Sequence, residues 1–105
     1  MQLQSHHEDP TRLVLVVEGD LDISSSEDFK RQSEKEYEKE PMDVLLDATG
    51  LNYVDSTGLG ALIHLCHLMR KEGHVLTLKG LKPYIRKLFT ITQMEEYFRF
   101  EGEEA

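Results

Sequence analysis

Apolar residues in this chain come in two spacings: short unbroken runs, and longer stretches in which they return every three or four positions. The first spacing predicts strands and the second predicts helices. Arg12 to Glu18, rich in Leu and Val and ending at Gly19, reads as a buried strand that delivers Gly19-Asp20-Leu21-Asp22 to a loop. Ser24 with Glu27 has the spacing of a capping box, which opens a thinly apolar helix whose Phe29 and Tyr37 share a face and which Pro41 ends. Its charges sit at three-residue steps, as in Glu27 with Lys30 and Lys35 with Glu38, as on a solvated face. Val44-Leu45-Leu46, inside Asp43 to Asp47, is a run too short for a helix and suits a central strand covered on both sides. A loop over Thr49, Gly50 and Asn52 is expected next, with Tyr53 and Val54 packing inward.

The clearest helical pattern runs from Thr57 to Glu72, with Leu59, Leu62, Ile63, Cys66 and Met69 on the buried stripe and His64, His67 and Lys71 opposite. Ala61, Leu65 and Leu68 fall off that stripe, and Leu65 and Leu68 meet either a neighbouring helix or a partner. Gly73 is placed as the helix stop, Val75 to Leu78 as a strand, and Lys82-Pro83 as the start of a helix that buries Ile85, Leu88 and Phe89. Tyr97 to Phe100 suits a last short strand, and Glu101 to Ala105 an acidic tail. At the other end Leu3 suits a short first strand and His6 to Thr11 a turn. Strands alternating with helices predict an α/β fold: a mostly parallel or mixed sheet of four to five strands, with three to four helices packed against it.

With 105 residues the expectation is one domain over residues 1–105, its core at about 12–100. Six basic residues against one acid between Arg70 and Lys87 make a net of +5 in a chain of net charge −8, so the rest carries −13. Such a balance disfavours nucleic acid and anionic membrane as partners and favours oriented docking on a protein. The longest apolar run, Leu13 to Val17, falls far short of the ~20 residues of a spanning helix. The lone cysteine, Cys66, suits a reducing cytoplasm.

Between the central strand and the best helix lies Asp55-Ser56-Thr57-Gly58-Leu59-Gly60. A strand that hands over to a helix leaves backbone N–H groups pointing outward, suited to an anion or a phosphorylated side chain. A nucleophile elbow would need glycine where Val54 stands, a dinucleotide fingerprint would need one where Ile63 stands, and no phosphate loop follows. His64, Cys66, His67 and His74 do not make a metal set, since the cysteine turns inward and a fourth ligand is missing. Asp20, Asp22, Asp47 and Asp55 fall at or just after strand ends, which in a parallel sheet converge on one rim.

These residues carry a resemblance. Gly19-Asp20-Leu21-Asp22, Val44 to Asp47, Val54 to Gly60, Val75 to Leu78 and Pro83 to Phe89 resemble the STAS family, and within it the bacterial anti-sigma factor antagonists. The likeness covers roughly Leu13 to Phe100. It implies a non-enzymatic protein that binds an anti-sigma factor, itself a serine kinase, and so frees the sigma factor. The kinase would phosphorylate the serine matching Ser56, with Thr57 the competing acceptor, and a PP2C-type phosphatase would restore it. No cofactor or metal is implied. The partner surface expected on this likeness comprises Asp20, Asp22, Asp55, Ser56, Thr57, Gly58, Leu59, Gly60 and, off the stripe, Leu65; Asp20 stands where the family often has glutamate. Two alternatives stay open: a partner-switching pathway without a sigma factor output, and a STAS module that senses a small ligand or nucleotide.

Overall fold

In the computed structural model, which describes residues 1–102, a single five-stranded sheet runs in the order β1-β2-β3-β4-β5. The strands are β1 (Gln2–Asp9), β2 (Arg12–Leu21), β3 (Asp43–Val54), β4 (Leu76–Lys79) and β5 (Arg99–Glu101). The helices α1 (Ser26–Lys39), α2 (Ser56–Arg70) and α3 (Pro83–Ile91) make the crossovers, and a 3-10 turn at Glu95–Tyr97 leads into β5. β1 pairs antiparallel with β2, and every later pair is parallel. Because consecutive parallel strands lie side by side, right-handed crossovers put all three helices on one face of the sheet. Their N-termini then gather at the carboxyl ends of the strands.

Alternation along the strands decides what fills the helix side. Leu13, Leu15 and Val17 of β2, Val44, Leu46 and Ala48 of β3, and Leu76 and Leu78 of β4 form one core with Phe29 and Tyr37 of α1, Leu62, Cys66 and Met69 of α2, and Ile85 and Phe89 of α3. The opposite face bears no helix, yet Val14, Leu45 and Thr77, neighbours in register, are buried there too. Long charged side chains cover them: the Arg12 guanidinium bonds Glu8 at 2.7 Å and Glu101, from the far edge strand, at 3.4 Å. Both faces of the central run are thus apolar, as the unbroken Val44-Leu45-Leu46 implied.

Several local expectations give way. His6 to Asp9 extend β1 instead of turning; the connection is the short Pro10-Thr11 link, closed by Asp9 Oδ1 accepting from Thr11 N at 2.7 Å and Thr11 Oγ1 at 2.6 Å. β2 runs past Gly19, whose φ of +93° sits at a register shift, so Gly19 to Leu21 are strand and not loop. Likewise β3 continues through Thr49 to Asn52, and Asn52 is the extra residue between the pairs Gly19 with Leu51 and Asp20 with Tyr53. That bulge turns Tyr53 outward, 48% exposed, while Val54 stays buried. The capping box is absent: α1 starts after Ser25, whose hydroxyl makes no cap bond, and Ser24 donates to Asp22 instead. Of the proposed acidic tail, Glu101 belongs to β5, paired with Lys79, Gly102 follows in a turn, and 103–105 lie outside the described residues.

Helix α1 packs on α2, with Phe29 and Tyr37 buried as expected and Glu34 Oε1 of α1 within 2.8 Å of His64 Nε2 of α2. Ala61 and Leu65 are thereby interior, Leu65 at 1% exposure, and Leu68 is half-buried. α2 stops where expected. The Gly73 N–H bonds Arg70 O and the His74 N–H bonds Met69 O, with Gly73 at φ +80°.

Candidate functional site

Asp55 organises the junction between β3 and α2. Its backbone is extended (φ −102°, ψ −176°), and its N–H donates to Leu21 O at 3.3 Å, so the end of β3 is still tied to β2. Its Oδ1 accepts from Gly58 N at 2.8 Å, which caps α2. Its Oδ2 accepts from Ile23 N at 3.1 Å, which holds the loop between β2 and α1 against the start of α2. One carboxylate therefore clamps two segments 32 residues apart.

With Asp55 as the cap, Ser56 and Thr57 become the first two residues of the helix, and both are exposed. Neither hydroxyl makes a side-chain hydrogen bond among the described residues, so the fold does not use Ser56. Gly58 is required on steric grounds: a Cβ there would lie 2.0 Å from Leu21 O. Gly60 is different, exposed and with nothing within 4 Å of an added Cβ. Leu59 is only 6% exposed and Leu65 1%, so both belong to the core and Leu65 offers a partner nothing at the surface. This corrects the expectation of Leu59 and Leu65 at the partner surface: both are buried in the core, which the helix wheel alone did not reveal for Leu65.

The three rim aspartates differ in what they do. Asp22 Oδ1 accepts from Ser24 N at 3.0 Å and Ser24 Oγ at 2.7 Å. The Ser24 hydroxyl, followed by backbone and Ser25 contacts, holds the Asp22 carboxyl below its usual range. Ser25 Oγ accepts from Asp22 N at 3.0 Å and donates to Asp20 O at 2.8 Å, so the whole turn is cross-braced. Asp55 is half-buried in its clamp, whereas Asp20 is exposed, lies opposite Tyr53 in register, and has a carboxylate that bonds to nothing among the described residues. Asp47 is not at the rim. It sits mid-strand in β3, where Oδ1 accepts from Thr49 N and Oγ1.

Two basic residues of the stretch from Lys79 to Lys87 are tied back to the fold, while Lys79 and Lys87 are exposed. Lys82 Nζ donates to Thr49 O and Leu51 O, both at 3.2 Å, while Arg86 pairs with Glu95 at 2.8 Å and lies 3.8 Å over the Phe100 ring. Among the described residues no three His, Cys, Asp or Glu side chains converge as metal ligands, and no helix is long and apolar enough to cross a membrane. A cavity of about 310 Å³, lined by Arg70, His74, Tyr97 and Phe98 among others, opens at the C-terminal end of α2, away from Ser56.

Sequence reasoning missed Ile23 and Tyr53, which stand exposed beside the junction. Ile23 falls in an acid- and serine-rich loop with no period to read, and the bulge at Asn52 broke the alternation that would have oriented Tyr53.

A model of the STAS domain matches residues 2–105. The chain belongs to the STAS domain family. Over 105 residues this STAS domain is 26% identical to an anti-sigma-B factor antagonist of Listeria monocytogenes, covering 100% of this chain and 92% of the relative. Its fold is that of the anti-sigma factor antagonist SpoIIAA in its unphosphorylated form, with a TM-score of 0.74 at 15% identity over 98% of this chain and 90% of the other. The phosphorylated form of the Bacillus cell fate determinant SpoIIAA superposes with a TM-score of 0.71 at 17% identity, covering 97% and 93%. Five strands, three helices and a mixed sheet are accordingly the STAS architecture, as the sequence resemblance implied.

Proposed function

We propose that this STAS domain is an anti-sigma factor antagonist working by partner switching. In its unphosphorylated form it binds an anti-sigma factor that is also a serine kinase, and the sigma factor is released. Phosphorylation of Ser56 ends the binding, and a PP2C-type phosphatase restores it; the domain itself catalyses nothing. The observation that carries this reading is the Ser56 hydroxyl, exposed at the first turn of α2 and unused by the fold because Asp55 does the capping. The names of the Listeria relative and of SpoIIAA, one of whose structures is of a phosphorylated form, support the assignment.

The physics of such a switch is simple. A phosphate adds about −1.5 to −2 charges and three acceptor oxygens. At Ser56 it meets the N-terminal end of the α2 dipole, which stabilises negative charge, so the fold tolerates it. A partner surface packed against a neutral hydroxyl does not, because it must bury or avoid the new charge. A hundredfold switch needs only ~3 kcal/mol of lost affinity.

The test is to incubate the protein with ATP and each anti-sigma factor kinase of its source organism, and to map the phosphate. Phosphate on Ser56, binding retained by Ser56→Ala and lost by Ser56→Asp is the expected result. Phosphate elsewhere, Thr57 included, or equal binding by both variants overturns the reading. Circular dichroism of Ser56→Asp should match wild type, which separates switching from damage.

A further inference from the structure

Four large hydrophobic side chains stand exposed among the described residues: Ile23 (76%), Tyr53 (48%), Tyr84 (51%) and Ile91 (66%). Their distribution is uneven. Ile23 follows β2, Tyr53 is one residue from the end of β3, and Tyr84 is in the first turn of α3, so all three lie at the carboxyl end of the sheet with Ser56. Ile91, the last residue of α3, lies at the opposite end.

Ile23 and Tyr53 are both tied to the junction that carries Ser56. The Ile23 N–H is bonded to the carboxylate of Asp55, the residue preceding Ser56, and Tyr53 precedes Ser56 by three residues. Both side chains are held on a stiff frame: Asp22, Ser24 and Ser25 brace the turn that carries Ile23, and Tyr53 is in register with Asp20 across β2 and β3. Exposed apolar side chains on a pre-ordered backbone lose little conformational freedom when a partner covers them, which is the condition for a binding hot spot. Charge narrows the choice of partner. Asp22 and Asp55 are engaged inside the fold, and Asp20, beside Tyr53, has a carboxylate without a partner among the described residues.

We infer that Ile23 and Tyr53 are the apolar anchors by which the anti-sigma factor kinase docks over Ser56, the kinase supplying apolar pockets and an Arg or Lys that pairs with Asp20. This rests on the functional reading above and deepens it. A partner seated on both anchors lies against the start of α2 and meets the Ser56 hydroxyl, so a phosphate there is incompatible with docking. The pairing with Asp20 contributes to the rate of encounter and to its salt dependence.

The test measures equilibrium binding of the purified anti-sigma factor kinases of the source organism to wild type, Ile23→Ser, Tyr53→Ser, Asp20→Asn and Ile91→Ser. Thermal melting of each variant serves as the control for folding. Ile23→Ser and Tyr53→Ser are expected to weaken binding tenfold or more with melting unchanged, and Asp20→Asn to flatten the salt dependence. Ile91→Ser, equally apolar but at the other end, is expected to stay within twofold. If wild type binds a kinase while Ile23→Ser and Tyr53→Ser remain within twofold, or if Ile91→Ser loses as much as they do, the surface is overturned and the functional reading survives. If wild type binds none of the kinases, the functional reading falls and the surface falls with it.

Discussion

At the scale of the residue, the two glycines that flank Leu59 look alike in sequence and do unlike work. Gly58 lets the first turn of α2 close on the end of β2, since an added Cβ would be 2.0 Å from Leu21 O. Gly58→Ala must therefore push α2 away and break the Asp55 clamp, with an expected loss of about 2 kcal/mol or more in a chemical denaturation midpoint. Gly60→Ala meets open space within a helix, and the better helix former should raise stability by about 0.5–1 kcal/mol in the same measurement. A result with both variants equally destabilised would show that the close approach at Gly58 is not what limits this turn. Asp55 itself reads from sequence as one acid beside a serine; only its two distances, to Gly58 N and Ile23 N, reveal a clamp.

At the scale of the element, α1 is the least apolar helix and needs a specific attachment. Its buried stripe is Ser26, Phe29, Ser33 and Tyr37, two of them small and polar. Tyr37 compensates at the C-terminal end: its ring is buried, and its hydroxyl lies 2.8 Å from Glu72 Oε1 and 2.5 Å from His74 Nδ1, tying α1 to the turn after α2. Removing only the oxygen, by Tyr37→Phe, should cost about 1 kcal/mol. It should also speed hydrogen exchange in the last turns of α1 more than in β2 or β3; uniform acceleration would argue against a local tie. The face of α1 was legible because Phe29 and Tyr37 stand eight apart, a helical repeat, whereas the tie was not, because Glu72 and His74 lie 35 and 37 residues further on.

Over the whole molecule, the titration of side chains ought to bracket stability between two pH limits. Asp9, Asp22, Glu36 and Glu95 are held below their ordinary values, chiefly by Thr11, Ser24, Lys39 and Arg86 respectively. A lowered folded value means stability that is present above the unfolded range of 3.8 to 4.5 and is lost as pH falls through it. Tyr37 moves the other way, raised by burial first and then by Glu72, and burial likewise raises Cys66. Their contribution is complete below the ordinary values of 10.0 and 9.0 and is lost as pH climbs beyond them. The melting temperature should thus hold a plateau near neutrality and fall on both sides, below about pH 4 and above about pH 9, when followed by calorimetry across that range.

The alternation of short apolar runs with three- and four-residue spacings determined by itself the order of the main strands and helices, and hence the α/β class, since local periodicity records which side of each element faces the core. It also located Ser56 at the start of α2. Tertiary structure decided the rest. Bulges at Gly19 and Asn52 lengthened β2 and β3 and turned Tyr53 outward, because register depends on the neighbouring strand. Packing around α2 took Leu65 into the core. Of the rim acids, Asp55 became the cap, Asp22 the brace and Asp20 the free charge. Those roles depend on what each carboxylate meets across the chain, and a linear sequence does not state which of its distant segments will touch.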